Sequence, residues 1–439
     1  MTQTTPQTAY LSPLDLDLVS IETPLRPMHW CFLIRLRSTA AQQIEFAALR
    51  ERVVQRAEQR DVFRMAVGLR RFRAPRVTLD RSGADTVHVA HITVAGEADL
   101  RYRVGQMLMS FNHAERLWDI TLADDTSTEA QYLIVRLHHC LGDGPAASGF
   151  AFLLMDGTDK ELAQFDRFLV SPRFEMFDVD RSVLLRSWRH LTRSWLHGVR
   201  RTRPAVGPTS RTRLINYADL SAAAVNQAAR SHGATQMEFL LASMTLEMRR
   251  LLGARPGGPT VMRTLVPVTL DLSLRHTGNA TAFAIVNLPL TVDSLDAAVA
   301  DIHEQLRAIA AERPDYALPT LSQGSGGPWL YKRLASIGIM TAARPDLDVG
   351  LNPLHVTMES VFGVPVDAVF PFSPLVYTPV SLAALILGDK LTIGINSDAS
   401  AVGNIGEVVA RELGDRLLHA RNPDPCRAAA PDTAISSDA

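Results

Sequence analysis

The stretch with chemical content is His138-His139-Cys140-Leu141-Gly142-Asp143-Gly144. A neutral imidazole accepts a proton near neutral pH, because its ordinary pKa is about 6.5. It cannot ionise an alcohol outright, since a hydroxyl is about as weak an acid as water, near 15.7. Proton removal must accompany attack, which is general-base catalysis worth about 10²–10⁴-fold. Acyl transfer to a hydroxyl or amine suits such a site. His139 is the expected base. Asp143 is expected to anchor the turn through a buried ion pair or backbone hydrogen bonds, and His138 to brace the loop. Gly142 and Gly144 let the backbone bend there. The alternative is a pair of loop histidines with no chemistry, because a bare His-x-x-x-Asp spacing recurs by chance.

Two elements must position this turn. Gln131 to Leu137 is apolar and β-prone, the pattern of a buried strand. Ala146 to Met155 is small and apolar, with Pro145 at a helix start and Asp143 or Gly144 at the cap. A strand-to-helix turn therefore carries both histidines and the aspartate.

The order His138-His139 with Asp143-Gly144 resembles the H-H-x-x-x-D-G motif of the coenzyme-A-dependent acyltransferase superfamily. Leu11-Ser12-Pro13-Leu14-Asp15 and Glu22-Thr23-Pro24-Leu25-Arg26-Pro27-Met28-His29 resemble the opening of its bacterial wax ester synthase/diacylglycerol acyltransferase family. Phe63-Arg64, His88-Val89, Leu117-Trp118, Val266-Pro267-Val268, Gly278-Asn279 and Leu288-Pro289 follow in the family's order, so the resemblance runs from about residue 10 to about 420. It implies an α/β fold of two chloramphenicol acetyltransferase-like subdomains, each a mixed sheet covered by helices, with a tunnel between them. It implies acyl-CoA as co-substrate, no bound cofactor or metal, and a long-chain alcohol or diacylglycerol as acceptor. The products would be wax esters or triacylglycerol. Cys140 is a nucleophile by type, but the histidines and the family favour a small buried residue there.

The mechanism so implied is direct transfer, with His139 taking the hydroxyl proton as the alcohol attacks the thioester. The oxyanion needs a donor, and losing one costs about 2.7–4 kcal/mol. Asn279 and Asn287 are candidates, and each is also explained as a turn or strand-end residue. Arg263 is a candidate partner for Asp143, or else a surface arginine. Trp118 is a candidate substrate contact. Three departures from the family stand out. Arg116 replaces the proline of Pro-Leu-Trp, and Met237-Glu238 stands for Asn-Asp. Met358 to Gly363 stands where an Asn-Val-Pro-Gly-Pro-like motif is expected. Two other readings remain. One is a stand-alone condensation-type enzyme fed by a carrier protein, although no Asp-Phe-Gly-Trp-Gly-like stretch is present. The other is a catalytically silent lipid-binding protein, which the second-half departures favour and the intact His139 and Asp143 oppose.

With 439 residues the chain has room for two or three domains. Its 45 basic and 46 acidic residues balance, so no global field favours nucleic acid. Three cysteines, unclustered and odd in number, argue against a disulfide framework or zinc site and fit a reducing cytoplasm. No apolar run reaches the ~18 residues of a transmembrane helix, and the N-terminus lacks the apolar core of a secretory signal.

The expected division is a subdomain over 1–180, a basic helix and linker over 181–213, a second subdomain over 214–422, and a disordered tail over 423–439. Arg181 to Tyr217 holds nine arginines and no acidic residue. Leu184, Trp188, Leu191, Trp195 and Val199 recur at helical spacing. Such a helix fits a membrane surface or lipid droplet, with Trp188 and Trp195 in the apolar layer and Arg189 and Arg193 at anionic head groups. The site expected is the inner face of the plasma membrane. It equally fits a helix packed on the protein with a solvated basic face. A glycine-rich loop, Ser322 to Pro328, lacks the Lys-Ser/Thr of a phosphate loop and is expected at the active-site edge.

Overall fold

The computed structural model describes residues 13–58, 65–68, 76–79, 89–110, 117–152, 154–158, 179–199, 210–253, 259–269, 278–317, 341–353 and 359–402, with a few single positions such as Leu11 and Phe63. The expected glycine-rich loop and C-terminal tail lie outside the described residues, as do His88 and Arg116.

The described residues form two six-stranded mixed sheets with helices packed on them. The first contains β1 (His29–Leu36), β4 (Val89–Val94), β5 (Trp118–Asp125), β6 (Gln131–His138), β11 (Ser360–Val361) and β12 (Val364–Phe372), in the order β11-β12-β1-β6-β5-β4. Its β4–β5 pair is parallel and the other pairs are antiparallel. The second contains β7 (Arg213–Ser221), β8 (Val261–Thr269), β9 (Thr281–Pro289), β10 (Leu347–Pro353), β13 (Val380–Leu387) and β14 (Lys390–Asp398), in the order β7-β14-β13-β10-β8-β9. Here β10 runs parallel to both neighbours. A two-stranded sheet, β2 (Met65–Gly68) with β3 (Arg76–Leu79), stands apart.

Every residue of β6 is buried, as its apolar run predicts for a central strand. The exception to the pattern is Arg136, whose guanidinium pairs with Asp119 on β5, so the buried charge is met by a buried carboxylate. By contrast β9 alternates half-buried and buried positions along its length, the mark of a strand with one face on the core.

Sheet membership does not follow chain order past residue 214. β11 and β12 lie far beyond it in the chain, yet they pair into the first sheet through β1. The second unit therefore lends strands to the first. β12 also lies against β14. The Thr392 hydroxyl donates to the Val369 carbonyl (2.5 Å), and the Asn396 amide to that of Ser373 (3.0 Å). A Cβ at Gly394 would collide with the Pro371 carbonyl, so this crossing needs glycine.

The helix Arg181–Val199 rests on the second unit. Ser187 and Leu191 are buried, and Trp188 and Trp195 are half-buried in edge-to-face contact. His190 pairs with Glu312 at 2.7 Å and Arg193 with the same carboxylate at 3.7 Å. The opposite side stays in solvent, with Leu185 71% and Leu196 50% exposed beside Arg186 and Arg189. Among the described residues no helix is long and apolar enough to cross a membrane.

Candidate active site

β6 ends at His138, and a single 3-10 turn, His139–Leu141, follows before the helix Gly144–Phe152. The turn is fixed from both sides. The His138 amide donates to the Leu117 carbonyl (2.6 Å), and the His139 amide to that of Met28 (2.7 Å). The His138 ring caps the turn, its Nδ1 accepting the Cys140 N–H at 3.1 Å. Cys140 itself is fully buried in the first core, where a thiol packs as a small apolar group.

The second unit meets this turn directly. Asn279, just before β9, places its Oδ1 3.0 Å from His139 Nδ1. Its Nδ2 donates to Asp15 Oδ1 (2.7 Å) and to the His139 carbonyl (2.8 Å). Two acceptors on Nδ2 fix which way the amide points, so Oδ1 is the atom facing the ring. An amide oxygen only accepts, so His139 Nδ1 must carry the proton. The Nε2 lone pair is then left free to act as a base. The Trp30 ring lies beside the imidazole, with centroids 5.5 Å apart.

His139 is 7% exposed. Burial, with repulsion from His138, pushes its pKa down to about 4, and the Asn279 hydrogen bond offsets part of this. The imidazole is thus neutral at pH 7. Asp143 takes three hydrogen bonds. These come from the Thr281 hydroxyl (2.7 Å), the Ala280 amide (2.9 Å) and the Ala146 amide (3.3 Å). Burial still raises its carboxyl to about 6, with Asp15 adding a like charge. Its own amide donates to the Gly278 carbonyl (3.3 Å). At Gly144 a Cβ would collide with the Asn352 side chain at the end of β10, so the two units touch there as well.

Not every expected residue comes to this place. Arg263 does not pair with Asp143. Its guanidinium donates to the Ala343 carbonyl (2.8 Å), to Ser194 of the basic helix (2.8 and 3.0 Å) and to Asn287 (3.4 Å). Asn287 lies opposite Arg263 on β9, six residues beyond Thr281, or about 20 Å along the strand. Trp118 is 1% exposed, donates its indole N–H to the Phe63 carbonyl (2.9 Å) and packs edge-on against Phe63. It is core rather than a lining residue. The altered second-half positions also find other work. Glu238 completes a capping box with Thr235 and pairs with His303. Ser360 to Gly363 bind Asp156 on the edge of the first sheet, away from the histidine. Asn352, Asp15, Trp30 and Thr281 are the site residues that sequence reasoning missed. Asp15 lay within the Leu-Ser-Pro-Leu-Asp opening, and Asn352 precedes a proline at a strand end, which reads as a turn.

The catalytic-domain model of the wax ester synthase/diacylglycerol acyltransferase family matches residues 11–255, more than half of the chain. A probable diacylglycerol O-acyltransferase of Mycobacterium tuberculosis (strain H37Rv) is 26% identical over 349 residues, which is 71% of this chain and 73% of that protein. The solved wax ester synthase/diacylglycerol acyltransferase of Marinobacter aquaeolei VT8 superposes with a TM-score of 0.64 at 14% identity, covering 94% of this chain and all of that one. The starter condensation domain of rhizomide synthetase, solved with C8-CoA, superposes at 0.58 with 13% identity, covering 94% of each chain. The chain therefore belongs to the wax ester synthase/diacylglycerol acyltransferase family, as an O-acyltransferase that makes neutral lipid esters.

Proposed function

We propose that His139 is the general base in direct transfer of a fatty acyl group from acyl-CoA to the hydroxyl of a long-chain alcohol or diacylglycerol. The carrying observation is the Asn279 contact, which holds the ring as the Nδ1–H tautomer and leaves Nε2 bare. Nε2 takes the hydroxyl proton as the oxygen attacks the thioester carbonyl. The tetrahedral oxyanion collapses, the C–S bond breaks, and the departing CoA thiolate takes the proton back from Nε2. One hydroxyl and one thioester are consumed, and one ester and one thiol are formed. No acyl-enzyme is needed, since the base acts on the acceptor itself. Asp143 and Asn279 hold the turn. The reactants would meet in a channel between the two units, whose residues converge on His139 from both sequence halves.

The exposed face of the helix Arg181–Val199 supports a second part of the reading. Leu185 and Leu196 project into solvent next to Arg186 and Arg189. Exposed leucines flanked by arginines suit an anionic lipid surface, where the acceptor is dissolved. The test is CoA release by purified protein given acyl-CoAs of several chain lengths, with long-chain alcohol or diacylglycerol in vesicles. Release that requires the alcohol supports the reading. Turnover only from an acyl-carrier protein would overturn the donor assignment, and lipid retention without turnover would overturn the activity.

A further inference from the structure

Behind the turn lies a second polar cluster that the reaction above does not use. Glu22 sits in the bend before β1, closed by the Thr23–Arg26 backbone pair, and its side chain is 8% exposed. One carboxylate oxygen, Oε1, accepts the Met28 N–H at 3.0 Å and lies 3.8 Å from His29 Nδ1. The other, Oε2, lies 3.6 Å from His138 Nε2. Both histidine side chains are fully buried. They are direct cross-strand partners of β1 and β6, with ring centroids 6.2 Å apart.

The protons of this cluster can be placed. His138 Nδ1 accepts the Cys140 amide, so a neutral His138 ring must carry its proton on Nε2, the nitrogen that faces Glu22. A carboxylate there favours that tautomer, because it only accepts. The 3.6 Å separation is longer than a direct hydrogen bond, so the carboxylate acts on the ring through its charge. Glu22 reaches His139 by two routes. One is the His138 ring, which caps the turn on which His139 stands. The other is the Met28 backbone, whose N–H goes to Glu22 and whose carbonyl takes the His139 amide.

We propose that Glu22 is a positioning residue for acyl transfer: its carboxylate keeps the His138 proton on Nε2, which leaves Nδ1 to cap the turn that presents His139. This rests on His139 being the base. Glu22→Gln is the discriminating variant. Its amide oxygen still accepts the Met28 N–H, so the bend is kept. Its NH₂ then faces His138 Nε2 and draws a lone pair there, moving the ring proton to Nδ1, against the Cys140 N–H.

The experiment uses ¹⁵N-histidine-labelled full-length protein, with His138 assigned by substitution and its tautomer read from the long-range ¹H–¹⁵N spectrum. The native protein should show His138 protonated on Nε2, and Glu22→Gln should shift the proton to Nδ1. In steady-state assays Glu22→Gln should lower kcat about tenfold to a hundredfold, the loss that follows when the orienting partner of a metal-bound histidine is removed, with KM for acyl-CoA unchanged. Glu22→Asp should recover part of kcat. In a His138→Ala background the Glu22→Gln loss should vanish, since the effect passes through that ring. An Nδ1–H tautomer in the native protein, an unmoved tautomer in Glu22→Gln, or the same kcat loss without His138 would each overturn the proposal. The tautomer is measured without turnover, so its outcome is separate from that of the acyltransfer reading.

Discussion

Burial and the neighbouring His138 ring hold the His139 imidazole at about pKa 4 rather than the ordinary 6.5. The rate should follow the unprotonated fraction, so kcat/KM should stay flat from about pH 8 down to about pH 5 and fall only below that. A break at 6.5 in a pH–rate profile would contradict the assignment. The same shift bears on stability. The unfolded ring gains its proton near 6.5 and the native ring near 4, so the stability present above 6.5 is lost as pH falls through that window. Asp143 acts in the opposite sense. Its native pKa, about 6, exceeds the unfolded 3.8, so its contribution is complete below 3.8 and is lost as pH rises through 6. At this scale the motif was legible because His139 and Asp143 sit four residues apart in one turn. The Asp15–Asn279 support was not, because its members are 264 residues apart and only the fold joins them.

Among the elements, the strand and helix around the motif are read from their patterns, and the hairpin Val380–Leu387 with Lys390–Asp398 pairs around Gly388-Asp389 as its turn residues suggest. Other strands are harder to read from their residues. β5 ends in acidic residues, and β7 runs at Ser221 straight into the helix Ala222–Ser231. β10 contains Gly350 and Pro353, residues that ordinarily weaken a strand, yet it lies between β13 and β8 and brings Asn352 to Gly144. Helical periodicity in Arg181–Val199 identified the element but not its partner. The apolar stripe continues past the contact with the second unit to Leu185 and Leu196, which are exposed. Replacing Arg186 and Arg189 with glutamine should weaken binding to anionic vesicles by about 1 kcal/mol each, or roughly thirtyfold together. Leu185→Ser with Leu196→Ser should weaken it further at high salt, where charge is screened. Vesicle sedimentation with unchanged binding in both variants would remove the membrane reading.

At the scale of the molecule, the two units are woven rather than placed in sequence. β11 and β12 return from beyond residue 359 to complete the first sheet, and Asn279, Ala280, Thr281 and Asn352 come forward to hold the motif turn. A linear reading sees two α/β halves and a basic segment between them. It cannot see the return, because short apolar strands carry no address for the sheet they join. This weaving makes the site depend on both halves at once: the base comes from one and its orienting amide from the other. The role of His139 is decided by CoA release from His139→Ala beside the native protein, at saturating acyl-CoA and alcohol, with folding of the variant verified by its melting curve. With His139 as the base, kcat should fall about 10²–10⁴-fold with the fold intact; ester formation at the native rate without that imidazole would show that the proton goes elsewhere.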